Sequence, residues 1–138
     1  MIRAQIEYAS VVYGSMLTAN QSGAVERLQA VALRTIWGWE KSYRECLNLS
    51  GLERLDERRK KNTIKFAQRT SQNPRYEHWF PTNNTTQYDL RRQERFHIRF
   101  ARHERLRNAP IYAMRRMLND EDANTQHNDR DDESDGVE

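Results

Sequence analysis

A single cysteine, Cys46, stands in the 138 residues of this chain, which excludes an internal disulfide. A lone thiol fits a reducing compartment, where it reads as a small buried hydrophobe rather than a nucleophile. No second thiol lies at finger spacing and His78, His97, His103 and His127 are scattered, so a metal site is not expected. No apolar run approaches the roughly 18 residues that a membrane span needs, and the first residues lack a signal-peptide pattern. The expected location is therefore intracellular, with nucleus and cytoplasm undistinguished. Five glycines are present, and none belongs to a phosphate-cradling loop. A nucleophile elbow is missing, as is a paired acidic motif of the sort two-metal polymerases and nucleases need. No catalytic residue, cofactor, metal or small-molecule substrate is expected.

What the chain does have is helix punctuation. Thr18 and Gln21 have capping-box spacing, Val25, Leu28, Ala32 and Ile36 then fall on one side, and Gly38 follows Trp37 as a stop. Ser42 and Glu45 repeat the box, Tyr43, Cys46, Leu47 and Leu49 supply apolar contacts, and Gly51 ends the second run. Leu52, Leu55, Arg59, Asn62 and Phe66 mark the spine of a third run that ends before Pro74. Ahead of these, Met1 to Met16 reads as a helix on the spacing of Ile2, Ile6, Ala9 and Tyr13, although Val11 and Val12 suit a strand equally well. Pro74, Pro81 and paired Asn83 and Asn84 break regular structure. Tyr76, Trp79 and Phe80 in that loop are expected to staple it onto the helices it connects, base stacking being the alternative. Asp89 to Leu118 returns to helix, interrupted by Pro110, with Phe96 and Phe100 docked on the bundle and Arg115 and Arg116 exposed. The expected fold is all-α: a small bundle of about four to five helices over residues 1–118, with an aromatic loop. Residues 119–138, almost entirely polar or acidic, are expected to form a disordered tail.

Charge separates along the same boundary. Met1 to Leu118 carries 22 Lys/Arg against 11 Asp/Glu, a net +11, whereas Asn119 to Glu138 carries one Arg against nine acids, a net −8. A body this basic attracts polyanions, and a tethered acidic tail competes with them. On the third run Arg58, Arg59, Lys60, Lys61 and Lys65 crowd the exposed side. On the helix expected after Asp89, the residues Arg91, Arg95, Arg99 and Arg102 fall within about a quarter of the circumference at 3.6 residues per turn. Those nine side chains are the candidate phosphate contacts. Charge runs ordinarily only solvate a surface, and an acidic protein partner would satisfy them as well.

Several short pieces, in order, resemble one family. Glu7-Tyr8-Ala9-Ser10 with Val12-Tyr13, then Glu26-Arg27-Leu28-Gln29, then Gly51-Leu52 with Leu55 and Arg58-Arg59 resemble the region after the palm in reverse transcriptases of jockey-type non-LTR retrotransposons. Phe66-Ala67, Asn73-Pro74-Arg75, Trp79-Phe80-Pro81, Pro110-Ile111-Tyr112 and Met114-Arg115-Arg116 with Leu118-Asn119 resemble the C-terminal end of the same polyproteins. The resemblance spans about residues 2 to 119 and implies a thumb and post-thumb segment. In that family the catalytic aspartates lie on the palm, upstream of the matched region, so no enzyme activity is implied. Thumb helices would rest by backbone contacts on an RNA or DNA duplex, including an RNA–DNA hybrid. Ala4 stands where the family commonly has Pro, and Met1 would be an interior position, which suggests a truncated copy. Two further readings remain open: a helical protein-interaction module whose exposed residues, Trp37 and Trp39 among them, seek a palm-like or other protein partner, and an inert retroelement remnant.

Overall fold

The computed structural model describes residues 7–83 and 94–134, with side chains up to residue 125. It is helical, and among the described residues the one β feature is an isolated antiparallel bridge between Thr82 and Phe96. The helices are α1 (Ser10–Tyr13), α2 (Ala19–Trp37), α3 (Tyr43–Ser50), α4 (Leu55–Ser71), α5 (Glu104–Arg107) and α6 (Pro110–Ser134), with 3-10 turns at Gly14–Met16 and Pro74–Trp79. Two compact units are present, Met1–Thr63 and Ile64–Glu138, and α4 contributes its first part to one and its last part to the other.

Unit one is held by local signals that work as their residue types demand. The Gln21 amide donates to Thr18 Oγ1 at 3.3 Å and the Thr18 amide donates to Gln21 Oε1 at 3.0 Å, closing a capping box on α2. Ser42 and Glu45 do the same for α3, at 3.3 Å and 2.8 Å. Those Ser42 hydrogen bonds hold the Glu45 carboxyl below its ordinary range. After α3, Gly51 takes φ 60°, its amide reaches Asn48 O at 3.2 Å, and the Leu52 amide reaches Leu47 O at 3.0 Å. That pair of bonds is a Schellman ending, and it turns Leu52 onto the cluster of Leu33, Cys46 and Leu47, which Tyr43 also joins. Cys46 has no exposed surface. The expected first helix is interrupted: Ala9 sits at φ 54°, so α1 is a single turn beginning at Ser10.

In α2 the apolar stripe is not what the core takes. Gln29 and Leu33 are buried, while Leu28 and Ile36 are 58% and 71% exposed. The polar side of the helix is drawn inward by a network in which the Tyr43 hydroxyl donates to Glu26 Oε1 at 2.6 Å and Gln29 Nε2 donates to that hydroxyl at 3.1 Å. Burial, reinforced by the Glu26 carboxylate, pushes the Tyr43 phenol well above its ordinary pKa.

Unit two is organised by Asn119. Its side chain accepts from the Phe96 amide at 2.9 Å and donates to the Phe96 carbonyl at 3.0 Å, all of it buried. Phe96 lies edge-on to Phe80, with centroids 5.6 Å apart, and both rings are 3% exposed. The Asn83 amide donates to Arg95 O and the His97 amide to Pro81 O, each at 2.9 Å, which extends the backbone around Phe96. One expectation is corrected here. The helix from Asp89 to Leu118 is absent over residues 94–103, because burying Phe96 against Phe80 gives its amide and carbonyl to Asn119, beside the bridge to Thr82, instead of to a helical ladder. The stretch from Asn119 begins inside α6, which Ala113, Met114, Leu118 and Asn119 anchor in the core and which runs to Ser134. In the aromatic loop, expected to pack on the helices it connects, Phe80 is instead buried against Phe96 of a non-helical segment, and Tyr76 lies tilted against Trp79 within the loop, with centroids 4.8 Å apart.

Asn119→Ala leaves the Phe96 amide and carbonyl buried without partners, and a loss of about 2–4 kcal/mol in unfolding free energy is expected. Asn119→Leu, which keeps the branched shape but not the polarity, should do no better in chemical denaturation. An unchanged midpoint in both would show that the clamp contributes nothing.

Candidate nucleic-acid interface

Helix α4 sorts its residues cleanly by side. Leu55, Arg59, Thr63, Ala67 and Thr70 are buried, and Arg58, Lys61, Lys65 and Arg69 recur at helical spacing on the exposed side. Of the cations expected to contact phosphate, Arg58 has its Nε 2.8 Å from Glu7 Oε1 and Lys61 has its Nζ 2.6 Å from Glu53 Oε1. Arg54 is likewise taken by Asp56 at 3.0 Å, which holds its guanidinium above the ordinary range. The exposed pairs Lys61–Glu53 and Arg54–Asp56 are worth only about 0.2–1 kcal/mol each, so they neutralise charge locally without locking the side chains, whereas the Glu7 side chain beside Arg58 is largely buried.

Arg59 is corrected outright. It is 5% exposed, donates from Nη2 to Ser22 Oγ at 2.9 Å, and its stem passes close to Gly14, where an added Cβ would lie 3.8 Å from it. Its Nη1 is buried with no hydrogen-bond partner. The guanidinium is a structural part of unit one and faces no solvent. Lys60 and Lys65 are exposed and, among the described residues, have no carboxylate partner; Arg69 shares that condition. Arg69 also sits in the last turn of α4, where positive charge complements the helix dipole.

In unit two the expected guanidinium row does not form. Arg91 lies outside the described residues, and Arg95, Arg99 and Arg102 belong to a non-helical segment. Arg95 lies 3.9 Å from Asp122 and 4.9 Å from the centroid of Phe96. Arg99 and Arg102 are exposed with no acidic partner among the described residues. Arg115 and Arg116, expected outside, are turned onto carbonyls: Arg115 Nε donates to Trp79 O at 2.7 Å and Nη1 to His97 O at 3.1 Å, and Arg116 Nη2 donates to Arg107 O at 2.7 Å. Burial lowers the pKa of the Arg115 guanidinium.

Sequence reading missed Arg105 and Arg107, exposed on α5, although Glu104 is the lone acid in the run from His97 to Ala109 and that imbalance was a usable signal. It also misplaced Phe100, which stands 91% exposed. Among the described residues no group of His, Cys, Asp and Glu could hold a metal ion, and no helix is long and apolar enough to cross a membrane. Comparison with protein-family models, with curated proteins and with solved structures finds no match for the chain.

The division between buried and exposed arginines is testable. Arg59→Ala is expected to lower unfolding free energy by about 2–3 kcal/mol, the scale of a hydrogen bond to a charged group plus lost packing. Lys65→Ala should leave it within about 0.5 kcal/mol. Equal thermal midpoints for the two variants would contradict the assignment of Arg59 to the interior.

Proposed function

We propose that the chain is a non-catalytic nucleic-acid-binding module that engages phosphates with little sequence preference. The observation that carries this reading is a set of exposed cations without acidic partners among the described residues: Lys60, Lys65 and Arg69 on α4, and Arg99, Arg102, Arg105 and Arg107 in and beside α5. Such groups gain by releasing counterions from a polyphosphate, whereas Arg58, Lys61 and Arg95 would first have to leave Glu7, Glu53 and Asp122. The resemblance to retroelement thumb segments adds a duplex, in particular an RNA–DNA hybrid, as the expected ligand.

In a titration of an RNA–DNA hybrid across a salt series, log affinity should fall with log salt by about 0.9 for each phosphate neutralised. The double variant Arg99→Ala/Arg102→Ala should shallow that slope by about 2. A flat response from low to physiological salt ends the phosphate reading.

A second reading, a protein-interaction module, is favoured by one feature of unit one. Leu28, Val31, Ile36 and Trp39 are each at least half exposed along and just after α2, an apolar surface that water does not favour. Light scattering should then show mass rising with concentration, and Leu28→Glu should return the chain to a monomer without lowering its thermal midpoint. A constant monomer mass at high concentration removes this reading.

A further inference from the structure

We infer that the segment between Phe96 and α5 takes an unpaired base of a single-stranded nucleic acid on the ring of Phe100. This rests on the phosphate-binding reading above and adds an unpaired strand to the duplex as a ligand. The ring is 91% exposed, the most exposed of the described large hydrophobic side chains. An isolated exposed aromatic is ordinary on a protein surface. This one differs in its setting. Arg99 precedes it, Arg102 follows two residues later, Arg105 and Arg107 come next on α5, and none of the four has a carboxylate partner among the described residues.

The segment is also held at both ends. On one side the Phe96 peptide is clamped by Asn119 and the His97 carbonyl accepts from Arg115 Nη1 at 3.1 Å. On the other, α5 starts at Glu104 and its last carbonyl, that of Arg107, accepts from Arg116 Nη2 at 2.7 Å. Phe100 is therefore presented from a short span between fixed points, with guanidinium groups within two residues on either side. Phosphates recur along a strand with one base to each, so cations flanking a flat apolar ring match the repeating chemistry of an unpaired strand. A duplex keeps its bases stacked on one another and offers that ring only phosphate and sugar edges. Stacking is indifferent to base identity, which agrees with sequence-tolerant binding.

The test uses the full chain and two labelled probes, a twelve-nucleotide oligo(dT) and an RNA–DNA hybrid of equal length, each titrated by fluorescence anisotropy over a salt series. Phe100→Ala is expected to weaken oligo(dT) binding roughly tenfold, equivalent to about 1.4 kcal/mol, while leaving hybrid affinity and both salt slopes unchanged. Phe100→Trp should restore the single-strand affinity. Arg99→Ala/Arg102→Ala should weaken both probes and shallow both slopes. If Phe100→Ala binds oligo(dT) as tightly as the parent while the arginine variant still weakens it, stacking is overturned and the phosphate reading stands. Equal loss on both probes also overturns stacking, and binding without salt dependence to either overturns both readings. A third arm adds phosphatidylserine vesicles. Loss of vesicle binding by Phe100→Ala, with oligo(dT) affinity intact, would assign the ring to a lipid surface and reject the proposal.

Discussion

Unit two depends on one side chain amide meeting one peptide. Asn119 satisfies both polar groups of Phe96 inside the core, where an unpartnered amide or carbonyl costs about 1–3 kcal/mol each. With that bond pair in place, the backbone at Phe96 is committed to an extended form, Phe80 and Phe96 meet edge to face, and the following residues cannot be the continuation of a helix. The consequence reaches the charged surface. A helix would have gathered Arg95, Arg99 and Arg102 on one side, and the clamp leaves them on a non-helical run with Phe100 turned to water.

Unit one shows a related inversion. Its central helix α2 turns Gln29 and Glu26 toward Tyr43 and keeps Leu28 and Ile36 outside. A buried network of this kind is favourable only while every member is satisfied, and Gln29 Oε1 and Glu26 Oε2 are buried without hydrogen-bond partners. Together with the Arg59 guanidinium, these place polar groups inside unit one while Leu28 and Ile36 stay outside. The charged face of α4 is then read in two layers: Arg58 and Lys61 are matched to acids within the unit, and Lys60 is not.

Which features were legible in the chain follows from how local their causes are. Both capping boxes and the endings at Gly38 and Gly51 involve residues within five positions of one another, so residue type and spacing were sufficient. Burial of Cys46 and Leu55 followed from hydrophobicity, whereas Leu33 lies off the stripe of Val25, Leu28, Ala32 and Ile36 that spacing suggested. Gln29, Arg59 and Asn119 were not legible as core residues, because each is buried by a partner distant in sequence: Tyr43 and Glu53 for Gln29, Ser22 for Arg59, Phe96 for Asn119. Arginine periodicity after Asp89 was a real pattern in the sequence, but helical propensity is a weak prior against a buried aromatic pair. Of the candidate cations, Lys60, Lys65, Arg99 and Arg102 are exposed without a carboxylate partner among the described residues, whereas Arg58, Lys61 and Arg95 each have one.

The sealed position of Cys46 has a practical corollary. A thiol with no accessible surface cannot meet a reagent until the packing of Leu33, Leu47 and Tyr43 around it opens. Because it is the chain's sole sulfhydryl, its alkylation rate is a clock set by the opening of the packing immediately around it.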